Sequence, residues 1–84
     1  GEESENASRF VFGEIKVDSN SPLSEKTLAD IMFKQKHGVT VVGIRRGEEK
    51  ITSPGPNERM AGDDCLIVIG SAANVDAVKS REPL

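Results

Sequence analysis

The period of the apolar residues changes along the chain, and each change marks an element. From residue 13 to 17 the pattern alternates, with Ile15 and Val17 on one face and Glu14 and Lys16 on the other. That is the period of a half-buried strand, and it predicts one beginning at Phe10. Asp18-Ser19-Asn20-Ser21-Pro22 is dense in turn formers and ends it. Leu28, Ile31, Met32 and Gln35 then recur at helical spacing, three of the four apolar. Thr27 is placed to be the N-cap of this helix, and Asp30 the acidic partner of a capping box. Lys34, Lys36 and His37 load the last turn with positive charge, where the helix dipole favours it. Gly38 is suited to the left-handed position that closes a helix.

Beyond Gly38 the pattern becomes that of a sheet. Val39-Thr40-Val41-Val42-Gly43-Ile44 is rich in β-branched residues and predicts a second strand covered on both faces. Arg46-Gly47-Glu48-Glu49 makes a tight turn into a short third strand, Lys50-Ile51-Thr52, so these two strands form a hairpin. Ser53-Pro54-Gly55-Pro56-Asn57 cannot extend that strand, because its prolines supply no ladder donor. Asp64-Cys65-Leu66-Ile67-Val68-Ile69-Gly70 is the most apolar run and is expected at the centre of the sheet. Ser71 can cap a closing helix that carries Ala72, Ala73, Val75, Ala77 and Val78.

The predicted order is β-α-β-β-β-α, an α+β fold with an antiparallel-rich sheet and two helices. At 84 residues there is room for one core. A core this small favours oligomerisation as a source of added stability. Residues 1–9 have no apolar periodicity and read as a disordered leader, residues 10–80 as the domain, and residues 81–84 as a frayed end.

Composition narrows the function. The net charge is −3, there is no Trp or Tyr, and three Phe are the whole aromatic content. A phosphate backbone would find little positive field and few stacking platforms, so no nucleic-acid partner is expected. No window approaches the ~18–20 apolar residues of a membrane span, so no direct membrane insertion is expected. One cysteine, Cys65, excludes an internal disulfide and the multi-cysteine zinc patterns. It is expected to be a small buried residue in its strand.

Catalytic parts are scarce as well. With one Cys and one His, Cys65–His37 is the only nucleophile–base pair of that kind, and nothing in the pattern brings the two together. The carboxylate pairs Asp63-Asp64 and Glu48-Glu49 lie on turns, where adjacent side chains diverge, and they read as ordinary hydrophilic turns rather than a metal site. Neither G-x-G-x-x-G nor G-x-x-x-x-G-K-[ST] occurs. The expectation is a domain that is not an enzyme and holds no cofactor within this chain.

Three stretches together resemble one family. Ser21-Pro22-Leu23-Ser24-Glu25-Lys26-Thr27-Leu28-Ala29-Asp30 is similar to its "S-x-L-x-G-K-T-L-x-E/D" lead into the first helix. The run from His37 through Val39-Thr40-Val41-Val42-Gly43-Ile44 to Gly47 resembles its "G-V-x-V-V-x-I-x-R-x-G" strand. The proline loop, followed by Ala61-Gly62-Asp63-Asp64-Cys65-Leu66-Ile67-Val68-Ile69-Gly70, resembles its "x-x-G-D-x-L-x-V-x-G" close. This family is the TrkA-C, or RCK C-lobe, domain, the C-terminal lobe of regulators of potassium conductance; Glu25 stands where it usually has Gly.

The resemblance implies a cytoplasmic homodimer attached to an N-terminal nucleotide-binding lobe or to a membrane channel or transporter, which it gates allosterically. It also implies cyclic di-AMP (cyclic di-adenosine monophosphate) as a possible effector held between two lobes. Carried over position by position, its ligand residues would be Phe33, Lys34, Thr40, Val41 and Pro54. Binders tend to carry Arg and Asn where this chain has Lys34 and Thr40, so the bidentate fork and the amide are absent. The alternative is a purely structural dimerisation lobe without a small-molecule ligand.

Overall fold

The computed structural model describes residues 8–82 and 84, and the first seven residues of the expected leader lie outside them. Four antiparallel strands form one sheet in the order β1-β4-β2-β3. They are β1 (Phe10–Lys16), β2 (Val39–Arg46), β3 (Glu49–Thr52) and β4 (Cys65–Ser71). The apolar run of β4 lies between β1 and β2, as its composition predicts, and β2 and β3 form the expected hairpin. Helices α1 (Leu28–Ile31), α2 (Phe33–His37) and α3 (Ala72–Lys79) lie on one face only.

That one-sidedness sorts the side chains. Ile15 from β1 and Val17 just beyond its end, Val39 and Ile44 from β2, and Leu66 and Val68 from β4 are at most 1% exposed beneath the helices. Ile31, Phe33, Met60, Val75 and Val78 close the core from the other layer. Gly13 lets α3 settle on β1: a Cβ there would stand 2.5 Å from Val75 Cγ1. Among the described residues the opposite face carries no helix. Phe10 and Phe12 are 78% and 69% exposed there, and Cys65, Ile67 and Ile69 are half-buried. Two expectations are corrected: β2 is covered on one face only, and Cys65 lies on the open face beside Glu14 rather than in the core.

The helix punctuation is largely as read. Thr27 Oγ1 accepts from the Asp30 amide, and an Asp30 carboxylate oxygen accepts from the Thr27 amide, completing the capping box. Ser71 Oγ accepts from the Asn74 amide at the start of α3. Gly38 closes α2 at φ 69°, a left-handed backbone that glycine adopts without penalty. The predicted continuous helix is, however, divided at Met32, which adopts φ 51° and ψ 44°. After α3, Leu84 returns to β1, donating to the Lys16 carbonyl and accepting from the Asp18 amide.

A further departure concerns Asp64. Expected in a hydrophilic turn, it is fully buried, and Arg46 Nε and Nη2 each donate to its carboxylate at 2.9 Å. The Ala61 amide donates to the same group at 2.8 Å, so the buried charge is paired and hydrogen-bonded. Arg46 Nη2 also reaches the Arg59 carbonyl, and Arg59 Nη1 reaches the Glu25 carbonyl at 2.6 Å. This chain of contacts ties the segment after the prolines to the sheet and to the turn before α1.

Candidate functional site

The groove that gathers the expected ligand residues is built by three segments meeting at one end of the sheet. Its floor comes from α1 and α2, one wall from the start of β2, and the other from the proline loop. The loop is strapped in place by backbone bonds. The Ala29 amide donates to the Pro56 carbonyl at 2.9 Å, Leu28 to Glu58 at 3.1 Å, and Met60 to Lys26 at 3.0 Å. The first two donors belong to the opening turn of α1, where amides lack partners within the helix. The loop therefore completes the helix while forming the groove.

The groove is open to solvent, with a volume of about 390 Å³, and Phe33, Lys34, Thr40, Val41 and Pro54 all line it. Five positions taken from three separate stretches of sequence thus meet in one hollow. Their exposures differ. Phe33 is 5% exposed and sits edge-on to the His37 ring, with centroids 5.1 Å apart. It forms the floor and part of the core rather than an open stacking plate. Val41 and Pro54 are half-buried walls, while Lys34 and Thr40 are exposed at the rim. Lys34 and Thr40 also border a second hollow, shared with Phe10, Gly38 and Ile69, on the open side of the sheet.

Pattern reading missed Met32, which also lines the groove and is 44% exposed. Helical spacing placed it with Leu28 and Ile31 on a buried face, and only the break in the backbone turns it outward. Leu28, Ile31, Val39 and Pro56 add to the apolar lining. The site therefore offers apolar walls, the Lys34 ammonium, the Thr40 hydroxyl and the Gln35 amide. That donor set suits a flat apolar or heteroaromatic ligand carrying negative charge.

Among the described residues Cys65 and His37 stand apart. Cys65 lies on the open face toward one end of β4, opposite Arg45, whereas His37 ends a helix beside the other end of the sheet. Burial, and then the hydrogen bond to Glu14, push the Cys65 thiol above its ordinary value, away from the thiolate a nucleophile needs. His37 is held below its ordinary value, first by burial and then by Arg81 and Lys36. Among the described residues no three His, Cys, Asp or Glu side chains are grouped to hold a metal ion, and no helix is long and apolar enough to cross a membrane.

The family model described as the TrkA-C domain matches residues 12–81. Over 67 residues the chain is 37% identical to the Ktr system potassium uptake protein C of Bacillus subtilis, covering 80% of this chain and 30% of that protein's length. Among solved structures, the RCK C domain of potassium transport protein KtrA in complex with cyclic diadenosine monophosphate is 25% identical. It matches with a TM-score of 0.74, covering 94% of this chain and 91% of that one. The RCK_C domain dimer of S. agalactiae BusR in complex with c-di-AMP is 27% identical, with a TM-score of 0.70, covering 80% and 87%.

Proposed function

The chain belongs to the TrkA-C domain family, and from that premise we propose that it is the ligand-sensing and dimerising lobe of a potassium or other cation transport system. The family is regulatory rather than catalytic. The lobe acts on the cytoplasmic side, through an N-terminal nucleotide-binding lobe or directly on a channel or transporter. Its ligand site is the groove lined by Phe33, Lys34, Thr40, Val41 and Pro54, and its effector is cyclic di-AMP.

The observation that carries this reading is the convergence of those five positions on one groove of about 390 Å³. Val41 and Pro54 supply apolar walls for an adenine, Phe33 supplies the floor, Lys34 meets a phosphate, and Thr40 offers a hydroxyl. A twofold-symmetric dinucleotide suits two copies of such a groove brought together by an isologous contact. Binding alters the parent protein only insofar as it favours one mutual geometry of the lobes over another.

Thermal unfolding with and without cyclic di-AMP tests the reading, with calcium and ATP as comparators. Ligand at about 100 times its dissociation constant adds about 2.7 kcal/mol, which raises the midpoint of a domain this size by roughly ten degrees or more. A rise selective for the dinucleotide, lost in Lys34→Ala, supports the sensor. No rise with any of the three leaves a structural dimerisation lobe.

A further inference from the structure

We propose that Met32 is a modification site that governs occupancy of the groove: its thioether forms part of the wall against the ligand, and oxidation by a hydroperoxide turns that wall polar and lowers the affinity. The inference rests on the ligand reading proposed above and adds to it a further contact and a means of control.

In an unbroken helix Met32, four residues after Leu28, would fall on the core-facing stripe. It is held instead at φ 51° and ψ 44°, between the end of α1 and the start of α2. A left-handed backbone disfavours any residue with a Cβ, so the fold bears a cost at this position. The conformation is fixed from both sides. The Met32 amide donates to the Leu28 carbonyl at 3.3 Å, and the Met32 carbonyl accepts from the Lys36 amide at 2.9 Å. The Ala29 amide, just before it in α1, is tied to the Pro56 carbonyl of the facing loop. Strain that the surroundings keep in place points to a role for the side chain it presents.

Exposure singles out the same residue. Three large apolar side chains are left exposed among the described residues; Phe10 and Phe12 stand on the open face of the sheet, and Met32 alone lines the groove. At 44% exposed, its sulfur is open to small oxidants in solvent. The chain's other methionine, Met60, is 1% exposed within the core and supplies an internal control. A thioether is polarizable and packs well against an aromatic ring, so Met32 suits contact with a heteroaromatic ligand. Cys65, the competing sulfur, lies outside the groove on the open face beside Glu14.

The chemistry is a two-electron oxygen transfer. The Met32 sulfur attacks one oxygen of the hydroperoxide; an S–O bond forms as the O–O bond breaks, and the departing oxygen takes the proton and leaves as water or an alcohol. The product is a sulfoxide, polar and chiral where the thioether was apolar. A ligand that covers it must strip water from the new oxygen, which costs affinity. An oxygen that turned to the Lys34 ammonium for a donor would compete with the ligand's phosphate, so both arrangements weaken binding. A sulfoxide reductase reverses the change, with thiols giving up two electrons and the oxygen leaving as water.

The test treats the 84-residue chain and its Met32→Leu variant with hydrogen peroxide. Peptide mass spectrometry follows oxygen uptake at each methionine, calorimetric titration gives the cyclic di-AMP affinity, and a melt gives the unliganded midpoint. Met32 is expected to take up an oxygen atom well before Met60, and more slowly when cyclic di-AMP fills the groove. Affinity should then fall about tenfold and return after a sulfoxide reductase with dithiothreitol, while the unliganded midpoint stays where it was. Met32→Leu, whatever its starting affinity, should keep it through the same treatment. Oxygen at Met32 that leaves the affinity unchanged overturns the proposal. So does a fall in affinity that Met32→Leu shares, or one that comes with loss of the unliganded fold. A parent chain that binds no cyclic di-AMP before peroxide is added overturns the ligand reading, and this inference with it.

Discussion

The two faces of the sheet are built from the same kind of residue and come to opposite ends. On β4, Leu66 and Val68 are fully buried under the helices, while their neighbours Ile67 and Ile69 are half-buried on the open side. Every one of these side chains is aliphatic, so composition says nothing about the difference. What decides it is that α1, α2 and α3 all lie on one face. An apolar side chain in a strand records the capacity to be covered, and the covering has to be supplied from elsewhere.

The strongest way to break the comparison is to shorten the same type of side chain on each face. Leu66→Ala should destabilise the chain by about 3 kcal/mol, because it leaves a cavity in a closed core. Ile67→Ala should cost about 1 kcal/mol, since its methyl groups are only partly removed from water. Denaturant melts at fixed concentration measure both, and equal losses would mean that the open face is covered in solution.

Next in size is the buried carboxylate at the core's rim. Asp64→Ala leaves Arg46 without its bidentate partner. Because the Arg46 side chain is 36% exposed and can rehydrate, the expected loss is about 2 kcal/mol, below the ~3–5 kcal/mol of a fully enclosed pair. The same melts check it.

Acid should act next, and in one direction. His37 is held below its ordinary value of 6.5 by burial, Arg81 and Lys36, so the folded state favours the neutral ring. Its contribution is complete above 6.5 and declines as pH falls through the lowered folded value. Glu14, held down by its hydrogen bonds from Cys65 and Arg45, and Asp30, held down by the capping box, add a second decline below their ordinary values of 4.5 and 3.8. Midpoints recorded from pH 8 to pH 3 should fall in these two stages. A His37→Gln variant should lose the first stage and keep the second.

The smallest effect belongs to the open face. Phe10→Ser should change the stability of the dilute chain by no more than about 0.5 kcal/mol, because the ring is 78% exposed. A larger loss in dilute melts would show that the ring is covered by something other than a second copy.

The fold was legible wherever a local rule carried it. Alternation at residues 13–17 placed Ile15 and Val17 in the core, and the Thr27–Asp30 spacing announced a capping box that is present. The failures are all non-local. Nothing in Leu28, Ile31, Met32 and Gln35 signals a break, since their spacing fits an unbroken helix, yet Met32 turns left-handed where the proline loop is strapped to α1. Asp64 looked like half of a polar turn because its partner, Arg46, lies 18 residues back in the chain. Phe33, Lys34, Thr40, Val41 and Pro54 carry no common pattern. They could be grouped only through the family resemblance, and the folded chain then places all of them around one hollow.

The irregularity in β2 has a mechanical side. The β2–β4 register shifts between Val41 and Gly43, which leaves Val42 as an extra residue in the strand. On one side of it lie Thr40 and Val41, at the groove; on the other lie the β3 hairpin and the Arg46–Asp64 clamp. The extra residue bends the strand and increases its twist there, so the two halves of β2 run in different directions: one half is aimed along the groove, the other is held in line with the clamp.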